Sequence, residues 1–318
     1  MILKIQTRLS PEGRRRLLET ARAKVPGARL AAGPGGFRVL GLTPAAAADA
    51  APLLENLEGA AGVAFNDVEL CPLACAGGRR PFSRPLDFTR GPVFIAGPCA
   101  VEDEASYLSS ARALKAAGAH ALRAALFKPR SSPYAFQGLG WEGLKIISRA
   151  KKETGLPLVT EATDTRQVAR LAAVCDVLQV GARNMRNYEL LKEIGRSRRA
   201  ALLKRAAGAT LREWLLSAEY LLKYGARTLL LCERGRGAGA LDLRLLREAK
   251  KLTGLPVLAD PSHAAGTRER ALALALKALR GGADGLLIEA AANPYSARVD
   301  GRQTVTLETF GRIAGRRK

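Results

Sequence analysis

The sequence predicts a closed α/β barrel of eight parallel strands, a (β/α)8 or TIM barrel, preceded by a small ferredoxin-like α+β domain. Two observations carry this prediction. Short apolar runs alternate with amphipathic helical segments eight times over about 230 residues. Before them, the first seventy or so residues follow the order β-α-β-β-α-β. The alternation predicts a parallel sheet with right-handed crossovers, and eight repeats predict that the sheet closes.

Residues 1–75 are predicted to form the ferredoxin-like domain, which we interpret as regulatory. ILKIQTR is typical of a strand, and Ser10 with Pro11 marks the start of a helix. A hairpin through Pro34-Gly35-Gly36, an Ala-rich helix interrupted by Pro52, and a last strand GVAFNDVEL complete the order. Residues 76–92 are the predicted linker, and residues 93–318 the predicted barrel.

The eight predicted barrel strands begin at Val93, Ala121, Pro157, Val177, Ala200, Thr228, Pro256 and Gly285. Polar or charged side chains stand at their C-terminal ends: Cys99, Lys128, Glu161, Arg183, Lys204, Arg234, His263 and Glu289. In a parallel barrel these ends share one rim, where the active sites of such barrels lie. The sequence therefore predicts one pocket rich in cations and metal-ligand types.

The composition indicates a basic protein with anionic small-molecule partners. Lys and Arg number 51 against 29 Asp and Glu, a net charge of +22. The charge is dispersed rather than gathered in one arm, so we expect a basic enzyme surface and no nucleic-acid partner. No apolar run reaches the roughly 20 residues that span a bilayer, and no membrane partner is expected. The odd number of cysteines and the lack of a signal core predict a cytoplasmic location.

A metal site is predicted where the first, seventh and eighth strands meet. Cys99, His263 and Glu289 follow or end these strands, and Asp300 lies in the loop after the last one. A thiolate, an imidazole and two carboxylates suit one divalent ion such as Mn, Fe, Co or Zn. Each residue alone has a plainer explanation, a buried thiol or a solvated acid, and only their joint placement favours the metal.

Six cations fall in or after the central strands: Arg123, Lys128, Arg130, Arg183, Lys204 and Arg234. So many charges beside an apolar core are costly unless anions neutralise them. The pattern predicts either a doubly phosphorylated transition state or two anionic substrates bound together. Alternatively, some of these cations form structural ion pairs with Glu161, Glu233 or Asp260.

Several long motifs in the barrel resemble those of one enzyme family. They are AGPCAVED from Ala96, FKPRSSPYAFQGLGWEGLKII from Phe127, QVGARNMRNYELLKEIG from Gln179, LLKR from Leu202, CERG from Cys232 and DPSHAAG from Asp260. The sequence resembles 3-deoxy-D-arabino-heptulosonate 7-phosphate (DAHP) synthases of the type with an N-terminal ferredoxin-like domain. The resemblance covers essentially the whole barrel, and more weakly the first seventy residues.

The resemblance implies a metal-dependent, aldol-type condensation of phosphoenolpyruvate with erythrose 4-phosphate, the first step of the shikimate pathway to aromatic amino acids. It also implies an aromatic amino acid effector, and we expect a homo-oligomer, a dimer or a tetramer. By motif, the metal ligands are Cys99, His263, Glu289 and Asp300. Phosphoenolpyruvate is bound by Arg123, Lys128, Arg183, Lys204 and Arg234, and the sugar phosphate by Arg130 and Ser131. The predicted catalytic residues are Cys99, His263, Lys128 and Glu161, and the roles of the last two are predicted from their place on the rim alone.

Within that set, Lys128 or a metal-bound water is the predicted proton donor, and Glu161 is predicted to position the attacking water. The sequence also departs from the family pattern. The loop after the sixth strand is short, Ala206 replaces a glycine, and Glu289 is followed by Ala290-Ala291-Ala292 where the family usually has Val-His-Pro.

Three alternatives remain open. 3-Deoxy-D-manno-octulosonate 8-phosphate synthase shares the barrel and the phosphoenolpyruvate half-reaction, although the Lys128-Pro129-Arg130-Ser131 loop favours the four-carbon sugar. A Schiff-base aldolase would use Lys204. A non-catalytic relative would keep the fold as a regulatory or RNA-binding protein, the latter through its basic surface.

Overall fold

The computed structural model describes residues 1–76, 84–236 and 239–315. The chain divides into two compact units, Met1–Cys75 and Ala76–Lys318. Within the described residues no helix is both long and apolar enough to cross a membrane.

The first unit has the predicted ferredoxin-like order. Its elements are β1 (Ile2–Ile5), α1 (Pro11–Lys24), β2 (Arg29–Gly33), β3 (Gly36–Leu40), α2 (Pro44–Glu55), β4 (Ala60–Ala64) and the short helix α3 (Asp67–Leu70). The strands pair antiparallel in the order β2-β3-β1-β4. Ser10 caps α1 as predicted, because its side chain accepts a hydrogen bond from the Gly13 amide. Buried Leu3, Leu17 and Leu54 form part of the core between sheet and helices.

One predicted element of this unit is wrong in its second half. GVAFNDVEL was expected to be a single strand, but β4 ends at Ala64 and α3 follows. Asn66 and Glu69 form a capping box, in which each side chain accepts a hydrogen bond from the other residue's backbone amide. This local exchange satisfies the first amides of a helix and competes successfully with strand pairing.

The second unit is the predicted barrel. Its eight strands are β5 (Val93–Gly97), β6 (Ala121–Arg123), β7 (Leu158–Glu161), β8 (Val177–Val180), β9 (Ala200–Lys204), β10 (Leu229–Glu233), β11 (Val257–Ala259) and β12 (Gly285–Ala291). Each strand pairs in parallel with its successor, and β12 pairs with β5 to close the barrel. The closure makes β5, β11 and β12 neighbours.

Helices cover the outside of the barrel: α4 (Glu104–Ala116), α5 (Trp141–Thr154), α6 (Thr165–Val174), α7 (Tyr188–Arg196), α8 (Leu211–Lys223), α9 (Leu243–Thr253), α11 (Arg268–Arg280) and α12 (Leu307–Gly315), the last preceded by a two-residue strand β13 (Val305–Thr306). The short helix α10 (Pro261–Ala265) instead follows β11 at the C-terminal rim. Gly155 and Gly254 end α5 and α9 in the left-handed conformation that glycine adopts without strain.

The segment predicted as a linker, residues 76–92, falls in the second unit, and its residues 77–83 lie outside the described residues. Leu86, beyond that gap, packs into the barrel core with Val93, Val177 and Ala200, which begin β5, β8 and β9. This packing fills the N-terminal end of the barrel. The C-terminal end, where strands lead into longer loops, is left to carry the site.

Candidate active site

Four side chains from the C-terminal rim converge into one cluster. The ligand atoms of Cys99, His263, Glu289 and Asp300 all lie within 4.8 Å of one another. Cys99 Sγ donates a hydrogen bond to Asp300 Oδ2 at 3.1 Å. His263 Nε2 is 3.5 Å from Glu289 Oε1 and 4.0 Å from Asp300 Oδ2. The four residues predicted as metal ligands are therefore together.

These atoms fit a divalent ion. Ligands about 2.0–2.3 Å from a tetrahedral ion are separated from one another by about 3.3–3.8 Å, and the measured separations straddle that range. Thiol, imidazole and carboxylate are also the donor types that borderline divalent ions take. Small side-chain adjustments would bring all four onto one ion, so the cluster could bind a metal.

Local structure places each of the four donors. Cys99 lies just beyond β5, and Glu289 is inside β12, where its amide donates to Ser262 Oγ at 3.0 Å. His263 lies in α10, a single turn of helix that begins at Asp260-Pro261. Asp300 adopts a left-handed backbone with φ of +55°, which turns the loop after β12 back toward the rim.

Asp260 supports the cluster from behind. Its Oδ2 lies 2.8 Å from His263 Nδ1 and accepts a hydrogen bond from Lys204 Nζ, and its Oδ1 accepts one from the His263 amide. A carboxylate behind a histidine fixes which ring nitrogen faces a metal and strengthens that ligand. Asp260 thus links His263, a predicted metal ligand, to Lys204, a predicted substrate-binding residue. The ion pair between Lys204 and Asp260 is one of the structural pairs that the sequence analysis left open.

Arg123 lies under the cluster rather than in the open cavity. It is 4% exposed, and its Nη1 is 3.2 Å from Glu289 Oε1 while Nη2 donates to the Cys99 carbonyl at 3.2 Å. In this structure the positive charge of Arg123 therefore compensates the negative charge of the buried Glu289 carboxylate.

Burial and charge set the protonation of the cluster. Burial, reinforced by the Glu289 carboxylate, raises the pKa of the Cys99 thiol well above its usual value. Burial also acts to raise the pKa of Glu289, but the charges of His263, Arg123 and Lys128 outweigh it and hold the pKa at about 2. The carboxylate is ionised and the thiol protonated, so a cation bound here would displace the thiol proton.

The other predicted residues surround a cavity of about 520 Å³ above the cluster. Those lining it are Lys128, Arg130, Ser131, Glu161, Arg183, Lys204, Arg234, His263 and Asp300. Lys128 Nζ is 3.9 Å from Asp300 Oδ2, and Arg183 donates to the Pro129 carbonyl at 3.0 Å. A cavity of this size, with five or more positive charges on its wall, suits small polyanions.

Glu161 reaches this cavity only because residue 181 has no side chain. A Cβ on Gly181 would fall 2.0 Å from Glu161 Oε1. Gln179, on the neighbouring strand, holds the carboxylate in place by donating to its Oε2 at 2.9 Å. Among the described residues, the cavity has one lining carboxylate besides Asp300, and this carboxylate, Glu161, packs directly against the Gly181 backbone.

The sequence reasoning missed Gln303, which lines the cavity and donates from Nε2 to Glu289 Oε2 at 2.8 Å. Its position three residues after Asp300 in the same loop was the available signal. It also missed Arg205, which forms a fully buried ion pair with Glu233 and donates to the Ala209 carbonyl at 2.8 Å.

The chain is similar to known proteins in sequence and in fold. A phospho-2-dehydro-3-deoxyheptonate aldolase of Thermotoga maritima is 38% identical over 222 residues, which are 68% of this chain and 66% of that relative's length. A 2-dehydro-3-deoxyphosphooctonate aldolase of Syntrophotalea carbinolica is 33% identical over 238 residues, covering 67% of this chain and 85% of the relative. A crystal structure of Thermotoga maritima DAHP synthase superposes with a TM-score of 0.80 and 29% identity over 99% of this chain and 94% of that one.

The family model described as the DAHP synthetase I family matches residues 90–316. That range is the barrel unit with its rim, its cluster and its cavity. The chain belongs to the DAHP synthetase I family.

Proposed function

We propose that this protein is a 3-deoxy-7-phosphoheptulonate synthase, which condenses phosphoenolpyruvate with erythrose 4-phosphate. The observation that carries the proposal is the joint placement of the Cys99–His263–Glu289–Asp300 cluster beneath a cavity lined by cations. A metal site beside a polyanion site is what joining an enol phosphate to a phosphorylated aldehyde requires.

The proposed reaction balances with one water consumed. C3 of phosphoenolpyruvate forms a bond to the aldehyde carbon, and the aldehyde oxygen takes up a proton. Water adds to C2, which develops positive charge as C3 attacks. The bond between C2 and the phosphate oxygen then breaks, leaving the C2 ketone and inorganic phosphate.

We assign the cations of the cavity to the two anionic substrates. Lys204, Arg183 and Arg234 line the same cavity as Lys128, and they would hold the phosphate and carboxylate of phosphoenolpyruvate. The Lys128 ammonium, facing the cluster, would donate a proton or a hydrogen bond at the aldehyde oxygen. Arg123 would act on the substrate through the cluster, because the structure has it against Glu289 and the Cys99 carbonyl.

The rest of the cavity is assigned to the sugar and to water. Arg130 and Ser131, in the loop held between Pro129 and Pro133, would bind the sugar phosphate with little ordering cost. Glu161 would orient the water that adds to C2, because its carboxylate lines the same cavity.

Cys99, His263, Glu289 and Asp300 would hold one divalent ion, with Mn, Fe, Co and Zn as the candidates for its identity. When bound, the ion supplies Lewis acidity to the aldehyde oxygen. The chain itself orients His263 through Asp260 and neutralises the buried Glu289 through Arg123. The aromatic amino acid effector of the first unit and the homo-oligomeric state stay predictions.

The second candidate is the octulosonate 8-phosphate synthase reaction, which the 33% identical relative favours by its name. It differs only in the aldose, arabinose 5-phosphate. The Lys128-Pro129-Arg130-Ser131 loop and the greater identity to the heptonate enzyme favour the four-carbon sugar.

The test is phosphate release by the purified full-length chain supplied with Mn²⁺ or Co²⁺. We expect release with phosphoenolpyruvate and erythrose 4-phosphate, loss of release after chelation, and recovery when metal is restored. The Lys128→Met variant should lose about 100-fold or more in rate. The control is Lys145→Met, at an exposed position of α5. Release with arabinose 5-phosphate alone would move the assignment to the second candidate, and release with neither aldose would overturn both.

A further inference from the structure

Gln303 was not among the predicted site residues, yet its side chain lines the cavity and donates a hydrogen bond to a member of the cluster, Glu289. It follows β12 in the loop that carries Asp300. Its Nε2 donates to Glu289 Oε2 at 2.8 Å, and its side chain also lines the cavity. The residue therefore bridges a completely buried carboxylate and the space where substrates would bind.

The two oxygens of Glu289 have different surroundings. Oε1 is 3.5 Å from His263 Nε2 and 3.2 Å from Arg123 Nη1, so it faces the other ligand atoms. Oε2 accepts the hydrogen bond of Gln303. The terminal torsion of a glutamate is broad and nearly two-fold, so an unrestrained carboxylate would turn freely. Arg123 restrains Oε1, and the Gln303 amide restrains Oε2.

We propose that Gln303 is a positioning residue that presents Glu289 to a divalent ion through Oε1 alone. Because the inference concerns the metal of the proposed function, it rests on that proposal. A carboxylate that binds through one oxygen occupies one coordination position, whereas a two-oxygen carboxylate occupies two. Holding Oε2 back would keep a position open for the substrate oxygen, as catalytic metal sites require.

The backbone around Gln303 is fixed well enough for this role. The Gln303 amide donates to the Asp300 carbonyl at 3.1 Å, closing a turn at the left-handed Asp300. Arg268 ties the same turn from the other side, donating to the carbonyls of Gly301 at 2.9 Å and Thr304 at 2.6 Å. The turn places Asp300 and Gln303 on the same cluster, so one loop supplies a ligand and the group that orients another ligand.

A plainer explanation is that Gln303 only satisfies a buried acceptor. The two explanations differ in what they predict for the bound metal. A group that only satisfies a buried acceptor affects the stability of the protein alone, whereas a positioning group also affects the affinity and the coordination of the ion.

The experiment titrates metal-free full-length protein with Co²⁺, without substrates, and records the ligand-field absorption and the affinity against a competing chelator. The variants are Gln303→Met, which keeps the length and removes the donor, and Gln303→Asn, which is one methylene too short. The matched control is Gln6→Met in the first unit, where the lost bond is to the Ala60 carbonyl.

We expect both Gln303 variants to weaken Co²⁺ binding about 10–100-fold. We also expect a weaker ligand-field band, as the freed carboxylate adds its second oxygen. The thermal midpoint of the metal-free form should fall modestly in both variants, because the buried Glu289 Oε2 loses its hydrogen-bond donor. The control should match the wild type in all three.

Wild-type affinity and spectrum in both Gln303 variants would overturn the inference. So would a wild-type chain that binds no Co²⁺. A wild type that binds Co²⁺ but releases no phosphate from phosphoenolpyruvate with either aldose would overturn the proposed function and leave the assignment of Gln303 intact.

Discussion

Removing the charge of Glu233 tests whether its buried ion pair with Arg205 stabilises the C-terminal rim of the barrel. Arg205 and Glu233 are both 0% exposed. Glu233 accepts hydrogen bonds from Arg205 Nε and, at 2.8 Å, from Arg205 Nη2. It also accepts from the amides of Gly235 at 2.8 Å and Asp242 at 3.3 Å. The pair therefore joins the end of β9 to the loop after β10, which carries Arg234.

The expected loss in the Glu233→Gln variant follows from those contacts. Leaving the buried Arg205 guanidinium without its counter-charge should lower the free energy of unfolding by about 3–5 kcal/mol. The NH₂ group of the new glutamine would also face other N–H donors instead of accepting from them. Replacing the whole pair is expected to cost less. Arg205→Met/Glu233→Met buries no charge but leaves the two loop amides and the Ala209 carbonyl unsatisfied, at about 1 kcal/mol each.

The assay is urea unfolding followed by tryptophan fluorescence. Both tryptophans, Trp141 and Trp214, lie in helices of the barrel unit, so the signal reports that unit. Glu189→Gln serves as the control, since Glu189 pairs with Lys192 on an exposed helix face and its loss should leave the unfolding free energy unchanged within error. A Glu233→Gln loss below about 1 kcal/mol, or a double variant less stable than the single one, would refute the reasoning.

Three further outcomes are expected. Gly181→Ala should push the Glu161 carboxylate aside, since the new Cβ would fall 2.0 Å from it, and phosphate release should fall at least about 10-fold while Co²⁺ affinity is unchanged. Asp260→Asn should weaken metal binding about 10–100-fold in a chelator competition, because His263 loses the charge behind it. The pKa of Glu213 is lowered to about 2 by hydrogen bonds from a backbone amide and from neighbouring side chains. Its stabilisation is therefore present above its ordinary value of 4.5 and lost as the pH falls toward 2. The difference in thermal midpoint between wild type and Glu213→Gln should narrow between about pH 6 and pH 3; a constant difference would contradict this.

The barrel was predictable because its strands follow one another in sequence and in space. Each apolar run is long enough for one buried strand, and parallel closure then carries Cys99, His263 and Glu289 to the same rim. Asp300 was placed by its loop, directly after the last strand. The capping box at Asn66 was missed, because an apolar alternation and a helix start overlap within a few residues.

The partners of the cations were not predictable from the same pattern. The sequence lists six cations and three acids that could pair with them, yet the structure pairs Arg123 with Glu289 and Lys204 with Asp260, and brings in Arg205 for Glu233. Which pairs form depends on how deeply each cation is buried and on its side-chain rotamer. A buried cation must pair with a carboxylate within its reach, because neither group can be solvated there.

The sequence by itself determined the barrel, the rim on which the site lies and the residue types available there. Each strand or helix is indicated by the apolar pattern of its own residues, and consecutive strands are neighbours in the barrel. Only the tertiary structure decided that Arg123 lies beneath the cluster, that Gly181 makes room for Glu161, and that Gln303 holds one oxygen of Glu289. These are contacts of a few ångströms between residues far apart in the chain. Their geometry is set by how all the side chains pack at once, and no single stretch of sequence encodes it.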